Sequence, residues 1–228
     1  MLRTRNLFSQ GGRGTIIVYG DSITQIGGDW NGGASDTKHN WTMLLPSLIA
    51  ARHPTAKVLV DARGIGGNVV YNGLCRAPQP EHADVDATLY LLEFGTNDVN
   101  RPWTPPERYA QGLREFVRML YVYSDADVAL VTTGPLPGEN LRDPADYHRA
   151  VTAVAREFRL PIVDMTEAVH RALAGRDFTT LHLGNEPNRK KTDPHPNTAG
   201  HQVWAQATVN TLERAVAQPP LMGETPKP

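Results

Sequence analysis

The stretch Thr15-Ile16-Ile17-Val18-Tyr19-Gly20-Asp21-Ser22 passes from β-branched and aromatic side chains straight into a polar turn opened by glycine. A short unbroken apolar run bounded by turn residues reads as a strand buried on both faces. Four runs of the same kind follow: Lys57 to Asp61, Ala87 to Phe94, Asp127 to Thr132 and Pro161 to Asp164. Helix-like stretches separate them, at Trp41 to Arg52, Val69 to Cys75, Pro106 to Tyr123 and Pro144 to Phe158, and a last helix is predicted from Thr198 to Val216. This alternation predicts an α/β fold, a three-layer α/β/α sandwich around a parallel sheet of about five strands. In the clearest helix, Tyr109, Leu113, Phe116, Val117, Leu120 and Tyr121 recur at helical spacing, and Thr104 with Glu107 has the pattern of a capping box ahead of it.

The chain has 228 residues, 40% hydrophobic and 21% charged, with a formal net charge of -1. That length suffices for one compact core without disulfides or a structural metal. Residues 1–218 are expected to form one domain, and the proline-rich 219–228 a flexible tail. The near-neutral charge gives no general attraction to nucleic acid or to an anionic membrane, so a small-molecule partner fits best. No run is long enough for membrane insertion. Nothing in the sequence bears on oligomeric state. Without a signal-peptide-like apolar segment at the N-terminus, a cytoplasmic protein is the simplest expectation, or a secreted one if a leader has been removed. Cys75, the single cysteine, is expected to be a buried small hydrophobe.

Ligands of open parallel sheets bind beyond the carboxyl ends of the strands. The glycine-bearing turns Gly20-Asp21-Ser22, Gly64-Ile65-Gly66-Gly67-Asn68 and Gly95-Thr96-Asn97-Asp98 all fall at that edge, with Gly134 after the fourth strand. Serine becomes a useful nucleophile only when a neighbouring base takes its proton, and histidine suits that task near neutral pH. Among eight histidines, His195 stands out in Asp193-Pro194-His195-Pro196-Asn197, where two prolines fix the chain just before a helix. Asp21, Asn68 and Asp98 are read as turn-stabilising residues, Asp98 also as a brace for the turn that aims Asn97. His201 is assigned to helix packing or capping. No histidine/carboxylate spacing calls for a metal, no glycine-lysine phosphate loop points to a nucleotide, and no cofactor is expected.

Taken in order, Gly20-Asp21-Ser22-Ile23-Thr24, Gly64 to Asn68, Gly95-Thr96-Asn97-Asp98 and His195-Pro196-Asn197 with Gly200-His201 closely resemble the SGNH, or GDSL, hydrolase family, over about Thr15 to Trp204. The resemblance implies a flavodoxin-like architecture and a metal-independent serine esterase working through an acyl-enzyme. It implies Ser22 as nucleophile and His195 as general base. It also implies an oxyanion hole from the backbone N–H of Ser22, the backbone N–H of Gly67 and the side-chain amide of Asn97.

The chain departs from the family at one place. The aspartate usually three residues before the histidine is here Thr192, and Asp193 stands only two residues before His195. Asp193 remains the expected orienting group, its reach depending on whether the segment is β-like or polyproline-like. Asp164 or a backbone carbonyl are the substitutes. Pocket walls are expected from residues 26–40, carrying Trp30, and from residues 100–106, carrying Trp103, aromatic side chains suited to a sugar or an acyl chain. The expected substrate is a short acyl ester, such as an acetylated sugar. The alternatives are an acyltransferase using the same acyl-enzyme and a catalytically weakened binding module.

Overall fold

The computed structural model of the chain describes residues 1–27, 38–77, 87–185 and 189–218. Five strands, β1 (Gly12–Gly20), β2 (Ala56–Gly64), β3 (Ala87–Glu93), β4 (Asp127–Val131) and β5 (Ile162–Val163), form one sheet in the order β2-β1-β3-β4-β5. Every pairing is parallel. Parallel strands need crossovers, and the helices supply them. The strand order is the flavodoxin-like one expected from the sequence.

Alternation along the strands divides the apolar residues between two cores. Ile17 and Tyr19 of β1, Tyr90 and Leu92 of β3, and Val128 and Leu130 of β4 pack against α3 (Val70–Leu74), α4 (Pro106–Tyr123) and α5 (Pro144–Phe158). The residues between them, Ile16, Val18, Leu89, Leu91, Ala129 and Val131, face α1 (Leu2–Gln10), α2 (Trp41–Arg52), α6 (Met165–Leu173) and α7 (Thr198–Ala217). These are the three layers of the sandwich. None of the described helices is long and apolar enough to cross a membrane.

Several expectations need correction. The Thr104/Glu107 capping box does not form: α4 starts behind Pro105 with no side-chain cap. Thr104 Oγ1 instead donates to the carbonyls of Asp98 (2.9 Å) and Arg101 (3.3 Å), closing the turn that precedes the helix. Cys75 is exposed, because the short helix α3 ends beside it. Two helices were not expected from the sequence. The first, α1, draws no side-chain cap from its own N-terminus; the carboxylate of Asp127 accepts from the N–H groups of Leu2 (2.9 Å) and Thr4 (2.7 Å) from far along the chain. The other, α6, is capped by Asp164, whose side chain accepts from Glu167 N, a serviceable Asp-x-x-Glu start signal. Trp30 and residues 219–228 lie outside the described residues.

The face opposite α4 is locked by two indoles. Trp41 of α2 and Trp204 of α7 are wholly buried, their ring centroids 5.9 Å apart and tilted by 54°. Removing a buried indole leaves a cavity that the surroundings fill only in part, so Trp204→Ala should lower the free energy of unfolding by about 3–5 kcal/mol. Urea titration followed by circular dichroism measures it; a loss below about 1 kcal/mol would mean that the α2–α7 packing does not carry this core.

Candidate active site

The carboxyl ends of β1 and β2 lie side by side, Gly20 paired with Gly64, and the chain continues the pairing one step through Ile65 N donating to Gly20 O at 3.2 Å. The turn at Ser22 is therefore fixed against the turn at Gly64 to Asn68. Asn40, the N-cap of α2, donates through Nδ2 to the carbonyls of Ile23 (3.1 Å) and Gln25 (3.3 Å), pinning the far side of the Ser22 turn to a helix start.

Asn97 joins the three turns. Its amide Nδ2 donates to the carbonyl of Asn68 at 3.0 Å and to Asp21 Oδ2 at 3.3 Å. Both neighbours are acceptors, which fixes the orientation of the amide. Asp98 braces the same turn, as expected: Oδ2 accepts from Gly95 N (3.1 Å) and Oδ1 from Val70 N (3.2 Å) at the start of α3. Burial pushes the Asp98 carboxyl up to about 7. Asp21 Oδ1 accepts from Ile23 N at 2.9 Å, the turn-stabilising role expected of it. Gly67 has φ of 77°, the left-handed region that a side chain disfavours. Among the described residues, neither the backbone N–H of Ser22 nor that of Gly67 has an acceptor within the protein.

His195 reaches this edge from 173 residues away, with Nε2 at 2.8 Å from Ser22 Oγ. Its backbone is clamped. Leu183 N donates to His195 O (2.9 Å), Asn197 N donates to Leu181 O (3.0 Å), and His182 pairs with Pro196 in an antiparallel bridge. Asn197 caps α7 through Gly200 N, where a Cβ would sit 2.1 Å from Leu181 O, so only glycine allows the helix to start this close to the strap.

The two-residue spacing of Asp193 and His195 works through a turn. Asp193 Oδ1 accepts from the backbone N–H of His195 at 2.9 Å, curling the carboxylate over Pro194, and the same oxygen lies 2.6 Å from His195 Nδ1. Arg189 holds the other oxygen at 3.0 Å. Burial works to raise the Asp193 carboxyl, but the bonds from the His195 ring and backbone, with the charges of His195 and Arg189, outweigh it and hold the group at about 2. An ionised Asp193 only accepts, which assigns the proton to Nδ1 and leaves Nε2 free to accept from Ser22.

Asp164 does not approach His195: one oxygen caps α6 and the other lies 2.8 Å from His148 Nε2. His201 behaves as expected. It is buried, accepts from Trp41 N at 3.3 Å, and burial lowers its pKa to about 3. Trp103 is 57% exposed and lines a cleft with Gly67. A larger cavity of about 770 Å³ beyond β4, lined by Thr133, Tyr147, His148, Asp164 and Phe178, touches neither Ser22 nor His195; converging chemistry, not volume, marks the site.

Two residues escaped the sequence reading. Arg189 gave no signal. Glu93 did: it is a carboxylate inside the otherwise apolar stretch Leu89 to Phe94. Fully buried, its Oε2 accepts from Thr24 Oγ1 (3.0 Å) and Asp21 N (3.4 Å), while Oε1 has no donor. Burial and the adjacent Asp21 charge push Glu93 well above its ordinary 4.5. Asp21, beside it, is itself raised by burial to about 6. A native state that holds a proton longer than the unfolded chain is most stable at low pH and loses that advantage as pH rises towards the folded pKa. Glu93→Gln removes the titration, so between pH 5 and pH 8 the variant should lose less unfolding free energy than the parent chain. Urea midpoints at the two pH values test this, and equal losses would mean that Glu93 is already ionised in the fold.

The match to known proteins agrees with this geometry. Residues 18–203 match the GDSL-like lipase/acylhydrolase family. No curated protein sequence matches the chain. Among solved structures, LAE5, an alpha/beta hydrolase enzyme from the metagenome of Lake Arreo, Spain, is similar at 25% identity and a TM-score of 0.70, over 89% of this chain and 96% of that one. Axe2, an acetylxylan esterase from Geobacillus stearothermophilus, shares the fold at 22% identity and a TM-score of 0.68, over 89% of this chain and 95% of that one. Bearing the family's sequence pattern on the family's fold, the chain belongs to the GDSL-like lipase/acylhydrolase family and is an SGNH-type esterase.

Proposed function

We propose that the protein hydrolyses short acyl esters of carbohydrates through an acyl-enzyme on Ser22. The observation that carries this reading is the unbroken line Ser22 Oγ, His195 Nε2 (2.8 Å), His195 Nδ1, Asp193 Oδ1 (2.6 Å). Ser22 Oγ attacks the ester carbonyl carbon as its proton passes to His195 Nε2. Asp193 stabilises the imidazolium and fixes its orientation. The oxyanion forms against the N–H groups of Ser22 and Gly67, with the Asn97 amide beside them; such donors contribute on the order of 3–4 kcal/mol each to the transition state. Collapse breaks the bond to the alcohol, which leaves with the proton from His195. Water, deprotonated by the same ring, then attacks the acyl-enzyme and releases the acid and Ser22.

An acetyl ester of a saccharide is supported by the acetylxylan esterase that shares the fold, a protein whose catalytic mutants replace a serine, an aspartate or a histidine by alanine. The exposed indole of Trp103 supports it independently, as a flat apolar face beside polar groups suited to stacking on a sugar ring.

Hydrolysis of p-nitrophenyl acetate provides the test. Ser22→Ala should lower kcat by on the order of 10³-fold or more, and wild-type turnover in that variant would sink the mechanism. Asp193→Asn keeps the shape but presents a donor to His195 Nδ1, favouring the wrong tautomer. Its kcat should fall by about 10⁴-fold, and a loss of less than about tenfold would remove Asp193 from the mechanism.

A further inference from the structure

A cleft of about 400 Å³ opens from Gly67, one of the two unpaired backbone donors, and runs between α3 and the segment leading into α4. Its walls are Val69, Tyr71 and Asn72 on one side and Arg101, Trp103 and Arg108 on the other. Each aromatic ring carries a guanidinium: Arg101 Cζ lies 5.7 Å from the Trp103 ring centroid and Arg108 Cζ 5.2 Å from that of Tyr71. The frame is fixed. Tyr71 donates from its hydroxyl to Arg108 O at 3.1 Å, and Arg142 Nη1 and Thr104 Oγ1 both donate to Arg101 O.

The cleft is positively charged beside its aromatic walls. The chain as a whole is near neutral, yet two guanidinium groups line this small cleft, and among the described residues neither has a carboxylate partner. Glu107, next to Arg108 in sequence, lines a different groove, with Arg114 and Arg142. Some arginines elsewhere are neutralised, as Arg63 is by Asp61 and Arg114 by Glu157. An arginine stacked on an aromatic ring keeps its planar fork of donors directed outward and pays little further entropy to grip an anion in two-point fashion. The ring beneath presents an apolar face.

We infer that this cleft holds the alcohol portion of the substrate, and that this portion is a saccharide bearing a carboxylate, as in an O-acetylated uronic-acid oligosaccharide. The inference rests on the esterase reading above and adds the class of alcohol. A sugar ring lies over Trp103 while its carboxylate meets Arg101 or Arg108, placing the ester carbonyl towards Gly67 and Ser22. A neutral acetylated saccharide keeps the stacking and loses the ion pair. The volume is at the small end of ligand pockets, suited to a short stretch of saccharide and not to a long acyl chain.

The experiment compares kcat/KM for an acetylated uronic-acid oligosaccharide with that for an acetylated neutral xylooligosaccharide, with p-nitrophenyl acetate as a common reference. At low salt the acidic substrate should be preferred by roughly tenfold or more, and 0.5 M NaCl should compress the preference because screening acts on the exposed charges. The double variant Arg101→Gln/Arg108→Gln should bring the ratio close to one, chiefly through KM for the acidic substrate. A parent chain that cleaves p-nitrophenyl acetate but shows no acidic preference overturns the inference and leaves the esterase reading intact. So does a preference that survives in the double variant, or one found equally for an acetylated sugar phosphate lacking a carboxylate. Failure to cleave any of the esters overturns the esterase reading itself.

Discussion

The amide of Asn97 is where three separate stretches of the chain are made to agree. It comes from the turn after β3, and its two protons point at Asn68 O, from the turn after β2, and at Asp21 Oδ2, from the turn after β1. Strand pairing alone fixes the ends of β1 and β2 only to the register of Gly20 and Gly64. A side-chain bond across the carboxyl edge converts that register into a defined placement of Ser22. Asp98 completes the arrangement by holding Gly95 and Val70, so the residue that follows Asn97 anchors both the Asn97 turn and the start of α3.

On the other side of Ser22, the histidine is positioned by a different device. No strand of the sheet carries it. Instead the strap of residues 181–183 and the start of α7 grip the backbone on either side of His195, while Asp193 grips its ring and its N–H with one oxygen. The spacing of two is thus compatible with a triad because an aspartate naturally bonds to the backbone two residues on; the turn brings the carboxylate to the ring. Arg189 then occupies the oxygen that would otherwise be free to pull the carboxylate away.

These two devices also explain what could be read in the sequence. The strands were legible because buried parallel strands need continuous apolar runs, and Gly20, Gly64 and Gly95 punctuate them. Helix α1 was not, because its cap is Asp127, a residue that no local pattern connects to Leu2 and Thr4. The boundary at Thr104 misled because its hydroxyl had two acceptors, and backbone carbonyls behind it won over the helix ahead. Ser22, Asn97 and His195 stood out through their turns, whereas the reach of Asp193 depended on a local fold around Pro194 that spacing alone left open. Arg189 acts through a contact with no periodic signature, and Glu93 announced itself only as a charge where the strand had no room for one.

The buried carboxyl of Asp21 gives the Asn97 arrangement its chemical direction. In the proposed mechanism a developing oxyanion competes with Asp21 for the Asn97 amide, since both protons of that amide are already engaged. The bond to Asp21, at 3.3 Å, is the longer of the two and the one open to sharing. A fully ionised, undistracted Asp21 would hold that proton strongly, because charge-assisted bonds in a buried setting are about twice as strong as neutral ones. Burial weakens the hold: it raises Asp21 to about 6 and Glu93 well above its ordinary value, and a carboxyl nearer its neutral form is a weaker acceptor for the Asn97 amide. The raised Glu93 beside Asp21 favours its neutral form, which keeps two carboxylates from being charged side by side in the core. Burying the two carboxyls behind the nucleophile turn therefore leaves the Asn97 amide able, in the proposed mechanism, to turn from Asp21 towards the reacting carbonyl.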